Sequence, residues 1–301
     1  MKANIILCIA ALTLIAVGCN KIENTNERVA VEFSASLSAD VSQTKAVDYT
    51  WSVNDSIGIY MVTAGQAFTG ANIVDNKANI RYIVDPSRIN GFKPDGTPIF
   101  YPMDNSRVDF YSYYPQGYVT YDQYHHFVYP INVASQSNQE ALDFMYSNNV
   151  KSKNKIDKGV ALSFEHKLCK IILNVQGGSG VSAESLSNLT VQVKAQNTKN
   201  TFNLTTGALK DAGTPADILL YKKPDVHVYE AILLPDTATE RTFEFNLNNT
   251  VDAPFSWVMN KSLESGKKYI YNITLNRTGI VVTGSITPWI PENGGNINVQ
   301  R

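Results

Sequence analysis

The sequence lacks an excess of charge of either sign. Its 301 residues include 26 Lys and Arg and 27 Asp and Glu, which gives a formal net charge of -1. Proteins that hold nucleic acid or an anionic lipid surface by charge need a concentration of Lys and Arg. The sequence therefore suggests neither partner.

The sequence also lacks the residue patterns of catalytic and metal sites. It contains no CxxC pair, no GxSxG elbow and no phosphate-binding loop, and it has only four histidines. His125 and His126 are adjacent and would point to opposite faces of a strand, so they cannot chelate one ion together. We therefore expect neither an enzyme nor a cofactor or metal site.

Cysteine is scarce, and two of the three residues, Cys8 and Cys19, lie near the start of the chain. Residues 5–17 form an apolar run broken only by Thr13. A run of this length behind a positive charge is typical of a secretory signal, and it is too short to cross a bilayer as a stable helix. The sequence therefore predicts a signal peptide over residues 1–18.

The surroundings of Cys19 point to a lipid anchor. The small residues Ala16 and Gly18 lie just before it, and polar residues follow it. This arrangement resembles the bacterial lipobox, in which the cysteine thiol accepts a diacylglyceryl group and becomes the first mature residue. Several acyl chains hold a protein stably at a membrane, whereas one does so only marginally. We therefore predict lipidation of Cys19 and a lipidated linker over 19–27; the alternative is a plain signal peptide with an incidental cysteine.

Cys169, the third cysteine, lies in the segment HKLCKIILNV. Since Cys8 would leave with the signal and Cys19 would carry lipid, the exported chain would have no intramolecular disulfide. Cys169 shares one face of a predicted strand with the apolar residues two, four and six positions further on, and His166 falls on the other face. The pattern favours a buried structural thiol over a nucleophile.

Long helices are absent from the sequence pattern. No mature segment keeps a 3.6-residue period over three turns, although NQEALDFMY allows one short helical turn. The segments with a clear period alternate every second residue, as strands with one buried face do; they are residues 29–37, 169–175, 189–195, 243–247 and 269–275. Frequent turn signals separate them. The pattern predicts an all-β fold of antiparallel β-sandwiches.

The length of the chain favours two domains, since about 283 residues remain after removal of the signal. A polar, lysine-rich run at residues 148–159 is a plausible boundary. We interpret it as a solvated linker or hairpin tip, with a basic contact patch as the alternative. The predicted domains are 28–158 and 159–301.

Aromatic residues, by contrast, are abundant in residues 100–129, which contain eleven of them. Aromatic side chains favour strands and cores. Exposed tyrosines can also stack on sugar rings, because each has an apolar face beside a hydrogen-bonding rim. Two interpretations stay open: packing within the sheet and core, or ligand contact through residues such as Tyr113 and Tyr118.

Several segments together resemble one known family. In chain order they are VEFSASL, TKAVDYTWSVNDSIGIYM, VDFYSYYP, ALDFMYSN, LSFEHKLCKIILNV, LLPD and LESGKKYIYNITLNRTGIVVTGSITPWIPENGG. The segments around Trp51, His166 and Trp289 are the most specific, and the resemblance covers nearly the whole mature chain. In order and spacing they resemble the fimbrillin family, the Mfa-like subunits and accessory proteins of type V pili in Bacteroidota.

The resemblance implies two tandem transthyretin-like antiparallel β-sandwich domains. It also implies export as an outer-membrane lipoprotein and a role in fimbria assembly, anchoring or adhesion. The implied partners are other fimbrial subunits, bound by donor-strand exchange, the outer membrane through the lipid, and a host or bacterial surface glycan or protein. The alternative is a glycan- or protein-binding surface lipoprotein that does not polymerise.

The resemblance further implies a processing step. In polymerising members an arginine-specific protease trims the N-terminal segment, which opens a groove for a strand of a neighbouring subunit. Arg28 is the candidate cleavage site and residues 29–37 form the strand concerned, with an ordinary linker arginine as the alternative. Lys45 departs from the family pattern, which often has arginine there. Residues 290–301 are few for a long donor strand, which favours an anchor, tip or accessory role.

Overall fold

The computed structural model describes residues 28–37, 51–157, 159–210, 213–249 and 253–289. Strands dominate these ranges, and the helical elements are short: α1 (Gln139–Leu142) and the 3-10 turns Gly70–Asn72, Val74–Asn76 and Glu184–Leu186. None of the helices in the described ranges has the length and apolar composition that crossing a bilayer requires. The protein is therefore nearly all β, as its period-2 segments predict.

The strands are numbered in chain order. The first ten are β1 (Glu32–Leu37), β2 (Ser56–Thr63), β3 (Ile80–Val84), β4 (Gly91–Pro94), β5 (Val108–Tyr114), β6 (Thr120–Tyr121), β7 (Phe127–Asn132), β8 (Met145–Lys153), β9 (Gly159–His166) and β10 (Cys169–Gly177). The others are β11 (Thr190–Asn197), β12 (Lys199–Asn203), β13 (Ala208–Leu209), β14 (Pro215–Leu219), β15 (Tyr221–Lys222), β16 (Val228–Leu233), β17 (Arg241–Asn246), β18 (Phe255–Met259), β19 (Lys267–Asn276) and β20 (Gly279–Pro288).

Seven of these strands close into a barrel in the order β1-β4-β3-β2-β5-β8-β9. Residues of a strand alternate between its two faces, and in β1 and the residue before it Val31, Phe33 and Ala35 are buried in the barrel core. That core also contains Tyr82, Phe110 and residues from the other strands of the barrel. The alternation predicted for residues 29–37 therefore corresponds to one strand of the barrel.

Nine of the eleven strands from β10 onward form two facing sheets. One has the order β15-β16-β10-β19-β20 and the other has the order β14-β11-β17-β18. Cys169, Ile171 and Leu173 of β10 belong to one buried cluster with Val191 of β11 and Phe243 of β17, so the two sheets share a core. We refer to this part as the sandwich.

One sequence expectation in the sandwich is wrong. The alternation over residues 189–195 predicts that Ala195 points inward, but the residue is exposed and has a φ of 52°. The register between β11 and β14 shifts between Val193 and Gln196. The irregularity ends the inward alternation after Val193, because an extra residue in a strand moves those that follow to the other face.

A small sheet in the order β13-β12-β7-β6 joins the two parts of the chain. Its strands β6 and β7 come from before the predicted boundary at residue 158, and β12 and β13 come from after it. The polar run 148–159 forms the outer part of the β8–β9 hairpin, which agrees with its interpretation as a hairpin tip. Strands on both sides of residue 158 thus pair in one barrel, and the division into domains 28–158 and 159–301 stays a prediction.

Candidate functional site

Strand β1 closes the barrel between β4 and β9. On one side it pairs in antiparallel orientation with β4, where Phe33 lies opposite Phe92. On the other side it runs parallel to β9 through six residue pairs, from Glu32 opposite Gly159 to Leu37 opposite Phe164. The backbone of β1 therefore satisfies strand edges on both neighbours, and its loss would leave both edges unpaired.

The side chains of β1 also pack in the barrel core. The Phe33 ring is fully buried and meets Tyr82 and Phe110 edge to face, with ring centroids 4.9 and 5.3 Å apart. The indole Nε1 of Trp51 donates a hydrogen bond of 3.0 Å to the carbonyl oxygen of Ala35. Without β1 the gap would therefore be an apolar groove with unpaired backbone on both sides, the form of site that an extended strand fills.

Arg28 lies just before β1 in the sequence, and its side chain is exposed. Its guanidinium lies 4.2 Å from the centre of the Phe100 ring, within the range of a cation–π contact. The residues after it are already paired, because the Val29 carbonyl accepts a hydrogen bond from the Tyr101 amide and Ala30 forms a bridge with Phe100. Arg28 thus lies at the start of the paired segment, and cleavage after it stays a prediction.

Four other predictions fall outside the described residues. They concern the signal peptide over 1–18, the lipidated linker over 19–27 that begins at Cys19, the departure at Lys45, and the segment 290–301. All four stay predictions.

The structure separates the two tyrosines that the sequence suggested as ligand contacts. Tyr113 is 0% exposed, and its hydroxyl donates to the Gly117 carbonyl at 2.8 Å or to Asn79 Oδ1 at 2.7 Å. The suggestion of a ligand contact at Tyr113 is therefore wrong, because neither ring face is open to a ligand. Tyr118 is 78% exposed, and its role in ligand contact stays a prediction.

Cys169 is a buried thiol, as the alternation predicts. Its side chain is fully buried, and Sγ donates a hydrogen bond of 3.2 Å to the Leu233 carbonyl. Burial raises the pKa of the thiol well above its ordinary value, since the thiolate would lose its hydration. The residue therefore has the environment of a structural thiol.

The sequence segments around His166 and Trp289 meet in space. His166 ends β9, and its Nδ1 lies 2.7 Å from Oδ1 of Asp143 in a buried pair. Its imidazole stacks on the Trp289 indole with ring centroids 4.3 Å apart and planes 5° apart. Sequence reasoning recognised both segments as specific but did not predict that they touch. The stack joins the end of the barrel to the end of the sandwich.

The described residues contain no group of three or more His, Cys, Asp and Glu side chains placed to hold a metal ion. The Asp143–His166 pair is closed by the Trp289 ring rather than open to solvent. The arrangement supports packing at this junction.

Comparison with known proteins decides the family. The profile of the Fimbrillin-like family matches residues 44–289 of the chain. The chain belongs to the fimbrillin-like family. A Bacteroides uniformis protein named as fimbrium subunit Fim1C is 31% identical to this fimbrillin-like chain over 311 residues, with 98% of each chain covered. The family resemblance expected from the sequence is confirmed, and it associates the chain with fimbriae and cell adhesion.

Two solved structures are similar to this fimbrillin-like chain. A cell adhesion protein of Bacteroides uniformis has 30% sequence identity and a TM-score of 0.73, over 87% of this chain and 99% of that one. A cell adhesion protein of Bacteroides ovatus has 24% identity and a TM-score of 0.69, over 89% of this chain and 100% of that one. The second likeness shows that the fold is shared.

Proposed function

We propose that the protein is a structural or accessory subunit of a fimbria that joins other subunits by exchange of a β-strand and is attached to the outer membrane through Cys19. The family assignment and the similarity to a fimbrium subunit support the fimbrial role. The observation that carries the assembly mechanism is the position of β1 between β4 and β9. No reaction and no cofactor are part of this proposal.

The geometry of β1 defines what a replacing strand must supply. It must satisfy the edge of β9 in parallel orientation over six residues and the edge of β4 in antiparallel orientation. It must also place apolar side chains at every second position, where Val31, Phe33 and Ala35 now lie. A strand from a second fimbrial subunit with this alternation meets both requirements.

The finer architecture forms part of the same proposal. We assign the barrel and the sandwich to two transthyretin-like domains, 28–158 and 159–301, with β9 contributed to the first by the second. The separate buried cluster inside the barrel supports this assignment, and the second cluster extends from the sandwich to residues of the first part such as Tyr60 and Tyr113. The small sheet of β6, β7, β12 and β13 then forms the contact between the domains.

Membrane attachment and strand exchange are linked through Arg28. A cut after Arg28 would separate the described residues from Cys19, so the same event that frees β1 for displacement would release the domains from the lipid. Retention of the lipid therefore suits an anchor or accessory subunit, and trimming suits a subunit within or at the tip of the fimbria.

The test of strand exchange is limited digestion of the purified mature protein with an arginine-specific protease. We expect cleavage after Arg28, identified by a new N-terminus at Val29, followed by a ladder of higher oligomers. Arg28→Gln is the matched control, and it should remain monomeric under the same conditions. A wild-type protein that is cut at this bond and stays monomeric would contradict strand exchange and favour a surface lipoprotein that does not polymerise.

The anchor is tested separately by fractionation of cells that express Cys19→Ala. We expect the variant in the soluble periplasmic fraction, whereas the wild-type protein stays with the outer membrane. Continued membrane association of the variant would remove the lipid anchor from the proposal.

A further inference from the structure

A short surface segment, residues 117–126, carries three exposed tyrosines. Tyr118 is 78% exposed, Tyr121 is 59% exposed and Tyr124 is 65% exposed. Single apolar residues are common on protein surfaces, whereas larger exposed apolar patches mark contact sites; these three tyrosines lie within seven residues of the sequence. The segment includes β6, the edge strand of the small sheet. We call residues 117–126 the tyrosine segment.

The first end of the tyrosine segment is fixed by the buried Tyr113. The Gly117 carbonyl accepts hydrogen bonds from the Tyr113 hydroxyl at 2.8 Å and from Asn79 Nδ2 at 3.0 Å. The ring of Tyr113 is itself held in the core. The backbone that leads to Tyr118 is therefore attached to the body of the protein.

The second end is fixed by Asp122. Its carboxylate accepts hydrogen bonds from the backbone amides of Tyr124 and His126, at 2.9 and 3.0 Å. It also lies 3.1 Å from Nδ1 of His126 and 3.1 Å from Nζ of Lys210. Because the turn between β6 and β7 is held in this way, a ligand that stacks on Tyr121 or Tyr124 loses little affinity to ordering of the loop.

The chemistry of the tyrosine segment fits a neutral, hydroxyl-rich ligand. The only carboxylate of the segment, Asp122, is paired with Nζ of Lys210 at 3.1 Å, so the two charges offset each other. The exposed neighbours of the tyrosines, Gln123 and His125, are polar, while the aliphatic Val119 is half-buried and packs against the core. A protein interface buries a water-free apolar centre, for which the segment offers no exposed aliphatic side chain, whereas a sugar ring needs aromatic faces beside hydrogen-bonding groups, which the segment has.

We propose that the tyrosine segment binds a neutral oligosaccharide, with Tyr118, Tyr121 and Tyr124 as the contact residues. The rings stack on the C–H faces of the sugar, and the tyrosine hydroxyls and neighbouring amides bind its hydroxyl groups. This site goes beyond the fimbrial role and does not depend on strand exchange, since none of the three tyrosines lies in the barrel. Failure of glycan binding would therefore leave the assembly mechanism intact, and failure of assembly would leave the site intact.

The first experiment applies the purified mature protein to an array of neutral, sialylated and sulfated oligosaccharides. We expect retention on one or more neutral oligosaccharides without charged groups. Absence of retention on any neutral oligosaccharide would overturn the proposal, and so would retention that is confined to the sialylated or sulfated ones.

The second experiment measures the affinity of tyrosine variants for the retained oligosaccharide by isothermal titration calorimetry. Each of Tyr118→Ala, Tyr121→Ala and Tyr124→Ala should weaken binding by up to about tenfold, since an aromatic stacking contact is worth about 0.5–1.5 kcal/mol. The triple variant should show no measurable binding. Tyr124→Phe should lose less affinity than Tyr124→Ala, because the ring remains.

The matched control is Ile89→Ala, which removes another exposed apolar side chain, 95% exposed and outside the tyrosine segment. This variant should bind as the wild type does. Because all four positions are exposed, the variants should keep their unfolding temperatures, which circular dichroism would verify. Unchanged affinity in the folded triple variant would refute the assignment of the site.

Discussion

The barrel and the sandwich each contain a parallel strand pair, and the two pairs are held in different ways. In the barrel, β1 runs beside β9 over six residue pairs, and both of its neighbours lie far away in the sequence. In the sandwich, β19 runs beside β10 over eight residue pairs, but it also forms a ten-pair hairpin with β20, which follows it directly. Among the described residues, β1 pairs with strands that are distant in the sequence, whereas β19 also pairs with a strand that is adjacent in the sequence.

This difference bears on which strand can be exchanged. Displacement of β1 separates it from β4 and β9 but breaks no hairpin, since β1 is not consecutive with either neighbour. Displacement of β19 would have to open its hairpin with β20 as well, and that hairpin reforms quickly because its strands are adjacent in the chain. In the proposed assembly the barrel would therefore exchange its strand β1, and the sandwich would stay intact.

The most disruptive test of this comparison is Phe33→Ala in β1. Removal of the fully buried ring should lower the free energy of unfolding by about 3–5 kcal/mol, because a large cavity would remain in the barrel core. Urea denaturation followed by circular dichroism measures the change. Ser36→Ala, at an exposed position of the same strand, should stay within about 0.5 kcal/mol of the wild type. A loss below about 1 kcal/mol for Phe33→Ala would show that β1 contributes little to the barrel core.

Trp289→Ala tests the junction between the barrel and the sandwich. The indole is nearly buried against His166, so its loss should lower the free energy of unfolding by about 3 kcal/mol. Trp289→Phe should cost less, because it keeps an aromatic ring over the imidazole. Equal losses for the two variants, measured by thermal unfolding, would contradict a role for the stack.

Acidification should lower the free energy of unfolding through Glu230 in the sandwich. We expect this effect to be smaller than that of either aromatic substitution. Burial alone would raise the pKa of this carboxyl above its ordinary 4.5, but Lys170 and Lys223, 3.0 and 2.8 Å away, outweigh burial and lower it. The lowered pKa means that the ionised group stabilises the fold above about pH 4.5, and that this contribution is lost as the pH falls through the folded-state pKa.

The measurement compares urea midpoints of the wild type and Glu230→Gln between pH 7 and pH 3. The wild type should be the more stable of the two at pH 7, and the difference should shrink on acidification. A difference that stays constant down to pH 3 would exclude Glu230 as its source.

Phe100→Ala is expected to have the smallest effect on stability and to act on the barrel alone. It removes the ring beneath the Arg28 guanidinium, a contact worth about 0.5–1 kcal/mol at an exposed site. Cleavage after Arg28 should therefore become about two- to fivefold faster, because the strand start is held less firmly. Mass spectrometry of timed digests measures the rate, and Met103→Ala, an exposed residue nearby, should leave it unchanged.

Local patterns in the sequence predict the strands well and their partners poorly. The buried residues of β10 and β17 follow from the alternation, because the face on which a strand residue lies depends only on its position along the strand. The pairing of β1 with β9 depends on contacts across more than a hundred residues, which no local period encodes. The prediction that Ala195 points inward is wrong for a related reason, since an irregularity in a strand changes the faces on which the following residues lie.

The candidate sites show the same limit. The position of Arg28 before the first strand could be read from the sequence, but its contact with Phe100 could not. The aromatic-rich region 100–129 was recognisable as well. Its division into a buried Tyr113, bonded to the Gly117 carbonyl, and an exposed Tyr118 is set by the tertiary fold, which the sequence pattern does not show.

The parallel pairing of β1 and β9 also has a mechanical consequence. In the lipid-anchored form, tension enters the chain at Cys19 and reaches β1 at its N-terminal end, while the rest of the protein pulls along β9 in the opposite direction. Parallel strands loaded in this way are sheared, so their hydrogen bonds resist together rather than opening one after another. In the proposed assembly β1 would therefore be both the exchanged strand and the strand that carries a pull from the membrane in shear, and a cut after Arg28 would remove that pull.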